Sequence, residues 1–321
     1  MPLILKAEEL APLLDMHRAV ALTEAVFREQ AEGALEVHAP YHLHVEGGAL
    51  RVVSAALKGS GRMGLRFGPA MGMVPPHGIE SHIAALYATD GELLSIMGYP
   101  YSTLRTGATV AVAVKHLAPA GVRRVGLLGT GMNALSLIEG VKAVRPIAEV
   151  AVYSRDEARR NSFAAAAERA AGLPVRPVAE QREAVSGRDI VLTATNFRRP
   201  LFPFAWLDDA AQVYSMGPIG EVPAELFLKA NHVVVSCKEH EKHYLYPTKP
   251  FPLLDLIGEG KLAWDEVDEL GDVVAGRPNA QRRSGGMVLF HESAGGFGDV
   301  AFAAWAYNEA RRRGLGQEVS F

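Results

Sequence analysis

Gly129-Thr130-Gly131-Met132-Asn133-Ala134 stands directly after the apolar run Val125-Gly126-Leu127-Leu128 and directly before a helical pattern. In a strand–turn–helix, Gly129 permits the tight turn, Gly131 lets backbone approach a pyrophosphate, and Ala134 allows close helix–strand packing. The N–H groups at the helix start are then available to the phosphates. The spacing predicts a nicotinamide dinucleotide held at Gly129, Thr130, Gly131, Met132 and Asn133, the bare alternative being a tight turn with no ligand. An acidic residue for the adenosine ribose belongs at the end of the second strand, about 20 residues on. Here that place holds Ser154-Arg155, with Asp156 just behind. A hydroxyl and a guanidinium suit a 2′-phosphate and favour NADP(H). If Arg155 is only a solvated surface charge, NAD(H) remains open.

His38, His42 and His44 fall in one candidate strand, with His42 and His44 on one face. An imidazole there could donate a proton near neutral pH. No carboxylate or cysteine completes a metal-ligand spacing around them, and Cys237 belongs in a strand at no known ligand spacing from His240 and His243, so no metal site is expected. G-x-S-x-G and G-x-x-x-x-G-K-[ST] are both absent, which leaves serine hydrolase and P-loop chemistry without support.

The elements that must position these residues are legible in outline. Apolar residues at helical spacing (Met16, Ala19, Val20, Val26, Phe27) predict a helix from about Asp15 to Glu32. From Glu36 to Met97, short apolar or alternating runs are broken by glycine and proline turns, with Thr89-Asp90-Gly91-Glu92 a hairpin candidate. They predict an antiparallel sheet of strands at 41–45, 50–55, 64–67, 83–87 and 93–97. Ser102 to Leu117 is small and apolar and suits a tightly packed helix, and Ala118-Pro119-Ala120-Gly121 reads as a linker. Strands at 122–128, 149–154, 190–195, 212–216 and 233–237 then alternate with helical patterns at 132–144, 156–171 and 180–186. That alternation predicts a parallel, Rossmann-type α/β sheet with right-handed crossovers. A last helix runs from Asp299 to Arg313.

The 321 residues suffice for two domains, and 49% hydrophobic with 21% charged residues describe a folded chain. A net charge of −3 without a basic run argues against nucleic acid or an anionic membrane as partner. The start lacks a signal-peptide pattern and no apolar run is long enough to span a bilayer. With the single Cys237 also suited to a reducing compartment, a cytoplasmic location is expected.

Leu104-Arg105-Thr106-Gly107-Ala108, the Gly129 to Ala134 motif, Thr193-Ala194-Thr195-Asn196, Met216-Gly217 followed by Glu225-Leu226, and Phe290 with Asp299 occur in one order. In that order they resemble the ornithine cyclodeaminase / mu-crystallin family over nearly the whole chain. The resemblance implies a discontinuous substrate-binding and dimerisation domain, residues 1–118 with 300–321, and a Rossmann domain, residues 119–299. It also implies a homodimer, a site in the interdomain cleft, and contacts to the cofactor from Thr106, Thr195, Met216, Gly217 and Asp299. Family activities include ornithine cyclodeamination, alanine dehydrogenation, and reduction of ketimines, pyrroline carboxylate and iminosuccinate.

Several positions depart from the family pattern. A family lysine at the substrate carboxylate is replaced by Arg66, and an upstream arginine by Tyr41 or His42. The cyclodeaminase aspartate is replaced by Ile219, with Glu221 out of register, and His291-Glu292 replaces a Lys-Ser pair. Arg66 and Arg105 are the candidates for gripping a substrate carboxylate, since a guanidinium fork matches it bidentately, and His42 for proton donation. Arg51 could add a third positive group, which would suit a dicarboxylic imino acid. The expected function is an NAD(P)H-dependent reductase of a C=N bond beside a carboxylate, giving an L-amino acid, with iminosuccinate to aspartate as one case. The alternatives are an ornithine cyclodeaminase that recycles bound NAD and a non-catalytic dinucleotide-binding protein of the crystallin type.

Overall fold

The computed structural model describes residues 1–46, 48–69, 82–216, 220–243, 251–277, 286–292 and 296–320. The chain forms two compact units, one of Met1–Arg105, His243–Leu245 and Gly295–Phe321, the other of Thr106–Lys242 and Tyr246–Ala294.

The first unit is built on an eight-stranded sheet. Its order is Gln317–Glu318, Leu3–Leu5, Leu93–Gly98, Ile83–Ala88, Arg62–Pro69, Gly48–Leu57 and Leu35–Val37, with Tyr41–Val45 also paired to Gly48–Leu57. The strands from Tyr41–Val45 to Leu93–Gly98 pair antiparallel as expected, and the sheet is mixed only because Leu3–Leu5 runs parallel to Leu93–Gly98. Asp90-Gly91 makes the expected hairpin, Gly91 taking φ 98° and the Ala88 N–H donating to the Glu92 carbonyl. The Met16–Ala31 helix starts where Asp15 accepts a hydrogen bond from the Arg18 N–H as N-cap. It packs edge-to-face through Phe27 on Phe297 of the Gly296–Arg313 helix.

Strand register decides which residues share a face. His42 lies opposite Arg51 and Arg51 opposite Gly68, while Val53 lies opposite Arg66 and Arg66 opposite Ala84. These residues lie on the face that the Gly296–Arg313 helix covers. The helix sits flush on it because Gly296 has no side chain, as a Cβ there would lie 3.0 Å from the Ser54 backbone. The other face presents Tyr41, Leu43, Leu50 and Ile83, which are 64%, 51%, 40% and 36% exposed.

The second unit carries a fully parallel sheet in the order Val175–Pro177, Glu149–Tyr153, Arg124–Leu128, Ile190–Thr193, Gln212–Ser215, Val288–His291, His232–Val235 and Val267–Glu269. Its central strands are buried on both faces, as parallel strands beneath helices must be. The direction in which successive strands are added reverses between Arg124–Leu128 and Ile190–Thr193, the switch point at which open α/β sheets hold ligands. Leu128, Thr193, Ser215 and His291 are aligned by register at the carboxyl ends of neighbouring strands. The Ser102–Leu117 helix is buried from Ala108 to Val114. It meets the Ala134–Val144 helix where the Gly107 backbone occupies the space a side chain at Gly140 would need. Among the described residues, no helix is long and apolar enough to cross a membrane.

Candidate active site

In the first unit three ionised side chains converge out of water. Arg66 comes from the Arg62–Pro69 strand, Arg105 from the first turn of the Ser102–Leu117 helix, and Asp299 from the first turn of the Gly296–Arg313 helix. Arg66 Nε lies 3.1 Å from Asp299 Oδ2 and Arg105 Nε 3.2 Å from Oδ1, with the side chains 5%, 7% and 2% exposed. Gly298 makes room, since a Cβ there would sit 3.0 Å from Arg105 Cδ. The helix dipole also favours a carboxylate in a first turn.

Burial would push the Asp299 carboxyl up, but Arg66 and Arg105 outweigh it and hold it below the usual carboxylate range. Tyr99 is fully buried beside them, its ring centroid 5.8 Å from the Arg66 guanidinium carbon. Burial, then the Asp299 charge, raise its phenol well above the ordinary value and keep it protonated. Arg66 and Arg105 thus both face the one Asp299 carboxylate.

The two histidines of the Tyr41–Val45 strand stack with centroids 5.9 Å apart, while His38 falls outside the strands on either side. Desolvation, then Arg51 and His44, push His42 down to about 4. A half-buried ring beside a guanidinium loses its proton early, which favours the neutral imidazole at pH 7.

In the second unit the glycine motif forms a strand–turn–helix. Gly129 has φ 105°, and a Cβ there would lie 2.5 Å from the Ala194 carbonyl oxygen and 2.8 Å from Thr195 Cγ2. At Gly131 the same carbonyl would be 3.3 Å away, so a side chain is excluded at Gly129 and only tight at Gly131. Thr130 is half-buried, Met132 is exposed, and Asn133 precedes the Ala134–Val144 helix without a capping bond from its side chain.

At the end of Glu149–Tyr153, Asp156 accepts from the Arg159 N–H at 2.9 Å and so caps the next helix. The Ser154 carbonyl accepts from Arg160 Nη1 at 2.6 Å. Arg155 is exposed, with its guanidinium carbon 5.3 Å from the Phe197 ring centroid. A lone aromatic in a loop, Phe197 carries no signal of that contact in the sequence.

Glu221 is also placed by the fold more tightly than its sequence position suggests. It is 1% exposed and accepts from the hydroxyls of Thr193 at 2.5 Å, Thr195 at 2.6 Å and Ser215 at 3.3 Å. Burial raises its carboxyl, against the pull of those three hydroxyls and of His291. His291 Nδ1 lies 2.8 Å from Glu241 Oε1, both buried. Thr106 is buried and Met216 half-buried, while Gly217 and Ile219 lie outside the described residues. Among the described residues no His, Cys, Asp and Glu group could hold a metal ion. A surface depression of about 630 Å³ opens at the opposite edge of this sheet, but its Arg124 is committed to Asp189 at 2.8 Å.

A switch-point glycine cradle on a parallel sheet defines a dinucleotide-binding type of fold. The chain belongs to the ornithine cyclodeaminase/mu-crystallin family, whose model matches residues 1–314. A Delta(1)-pyrroline-2-carboxylate reductase from Bacillus cereus is 30% identical over 237 residues, covering 72% of this chain and 71% of that protein. The Delta(1)-pyrroline-2-carboxylate reductase of Thermococcus litoralis, solved with NADH and L-proline, superposes with a TM-score of 0.86 at 25% identity, over 99% of this chain and 100% of that one. An archaeal alanine dehydrogenase dimer with bound NAD gives 0.88 at 26% identity, over 100% and 99%. These relatives are oxidoreductases of imine or amino-acid groups by name.

Asp299→Asn would leave two buried guanidinium groups with no carboxylate between them. A loss of about 3–5 kcal/mol is expected by urea unfolding at pH 7. Because the folded Asp299 pKa is depressed, its stabilisation is full above the unfolded value near 4 and is lost as pH falls through the folded one. The deficit of the variant should therefore shrink in acid, and a pH-independent deficit would contradict the ion pairing.

Proposed function

We propose that the protein is an NAD(P)H-dependent reductase of an imino acid, reducing a C=N bond beside a carboxylate to give an L-amino acid. The observation that carries this reading is the buried Arg66–Asp299–Arg105 cluster. Asp299 holds two guanidinium groups in place, and their planar forks match a substrate carboxylate. Arg66 and Arg105 bind and orient that carboxylate, which fixes the neighbouring carbon for reaction. A bound reduced nicotinamide supplies the hydride. Gly129, Thr130, Gly131, Met132 and Asn133 would hold its diphosphate, with Thr106, Thr195 and Met216 as further cofactor contacts. An iminium substrate already carries its proton on nitrogen, so its reduction would ask no proton of Arg66, Arg105 or His42. Neutral His42 is left to accept or donate one hydrogen bond.

Two finer readings rest on particular residues. Arg51, opposite His42 and on the same sheet face as Arg66, favours a substrate with a second carboxylate, such as iminosuccinate. Ser154 and the Arg155–Phe197 pair, with Asp156 engaged as a helix cap, favour the 2′-phosphate of NADPH over NADH.

The chain works as a homodimer, with a second copy covering the apolar sheet face of Tyr41, Leu43, Leu50 and Ile83. Both the pyrroline-carboxylate reductase solved with NADH and L-proline and the alanine dehydrogenase solved as a dimer with NAD support the combination.

Arg66→Met and Arg105→Met should each lower kcat/KM for an imino acid about 100-fold, the loss of roughly one charged hydrogen-bond pair, in steady-state assays with NADPH. Unchanged kcat/KM in both would remove the carboxylate assignment. Leu43→Glu should yield monomers by light scattering where the parent chain gives dimers. A parent chain that is itself monomeric would refute the dimer.

A further inference from the structure

We propose that Glu221 is a positioning residue for the dinucleotide: its buried carboxylate grips the Thr195 hydroxyl and so sets the turn that walls the glycine loop. The inference rests on the reading that the second unit binds such a cofactor.

Both ends of the 195–201 segment are tied to this one residue. The Thr195 O–H donates to Glu221 Oε2 at 2.6 Å, and the Leu201 N–H donates to the Glu221 carbonyl at 2.8 Å. Thr195 Oγ1 also accepts from the Phe197 N–H at 3.1 Å. Its proton is therefore directed at the carboxylate and its lone pair at the backbone, which leaves the turn one arrangement. Thr193 and Ser215, the last residues of two neighbouring strands, hold the other carboxylate oxygen and fix Glu221 to the sheet.

What this turn touches is the cofactor cradle. The Ala194 carbonyl and Thr195 Cγ2 are the atoms a side chain at Gly129 would strike, and Phe197 carries the Arg155 guanidinium. A buried carboxylate is costly, and packing alone would be served as well by an apolar residue of similar volume. Three hydroxyls gathered from two strand ends and one turn give the carboxylate a directional task that packing does not require.

The test is a fluorescence titration of the full chain with NADPH and NADH. Glu221→Gln turns one acceptor edge into a donor facing a hydroxyl, and Thr195→Val deletes the hydroxyl. Each should raise the NADPH Kd about tenfold, the worth of one or two hydrogen bonds, while Thr195→Ser stays within about twofold of the parent. Rescue by serine separates hydroxyl positioning from mere filling of space. The half-buried Thr195 pair keeps the test open if Glu221→Gln does not fold. Parent-like affinity in Thr195→Val, or serine binding as weakly as valine, overturns the inference while dinucleotide binding stands. A parent chain that binds neither dinucleotide overturns the functional reading, and this inference with it.

Discussion

A carboxylate buried between two guanidinium groups constrains much of the first unit. Arg66 and Arg105 keep Asp299 ionised in that place against its burial. The requirement reaches outward. The Gly296–Arg313 helix must begin within contact of the Gly48–Leu57 strand, which Gly296 permits, and must pass Arg105 closely, which Gly298 permits. Arg66 must point to the covered face of its sheet, and a register shift by one residue would turn it to the other. Stability alone would favour apolar residues in these places.

The second unit solves a different problem with backbone. Its parallel sheet aligns Leu128, Thr193, Ser215 and His291 at the carboxyl ends of adjacent strands. The reversal of strand order beside Arg124–Leu128 opens the edge where the glycine turn sits. Backbone N–H groups and a helix start are what this turn presents. The polar side chains brace the turns, as Glu221 does at Thr195 and Asp156 does at the start of the Glu157–Ala171 helix.

Much of this architecture is legible in the sequence. The Ser102–Leu117 helix, the Glu149–Tyr153 strand and the Asp90-Gly91 hairpin depend on periodicity and turn chemistry, which are local. The tight turn at Gly129 is legible because the glycine spacing after an apolar strand carries it. Val175–Pro177 and Val267–Glu269 are not, being too short to show a period, and Val288–His291 merges into the approach to the last helix. The parallel pairing of Leu3–Leu5 with Leu93–Gly98 leaves no local trace either. The Asp299 ion pairs join residues from distant parts of the chain. Glu221 looks misplaced beside the family aspartate because its partners, Thr193, Thr195 and Ser215, are assembled only by the sheet. The low pKa of His42 likewise comes from burial and from Arg51 across the strand pair, neither of which spacing reveals.

The most direct test of the account is absorbance at 340 nm with the purified chain, NADPH or NADH, and a panel of cyclic imino acids and of 2-oxo acids in ammonia, including oxaloacetate and pyruvate. Stoichiometric dinucleotide oxidation is expected with a carboxylate-bearing imine, faster with NADPH, and absent with the matching imine that lacks the carboxylate. Equal rates with and without the carboxylate, or no oxidation of either dinucleotide by any member of the panel, would contradict it.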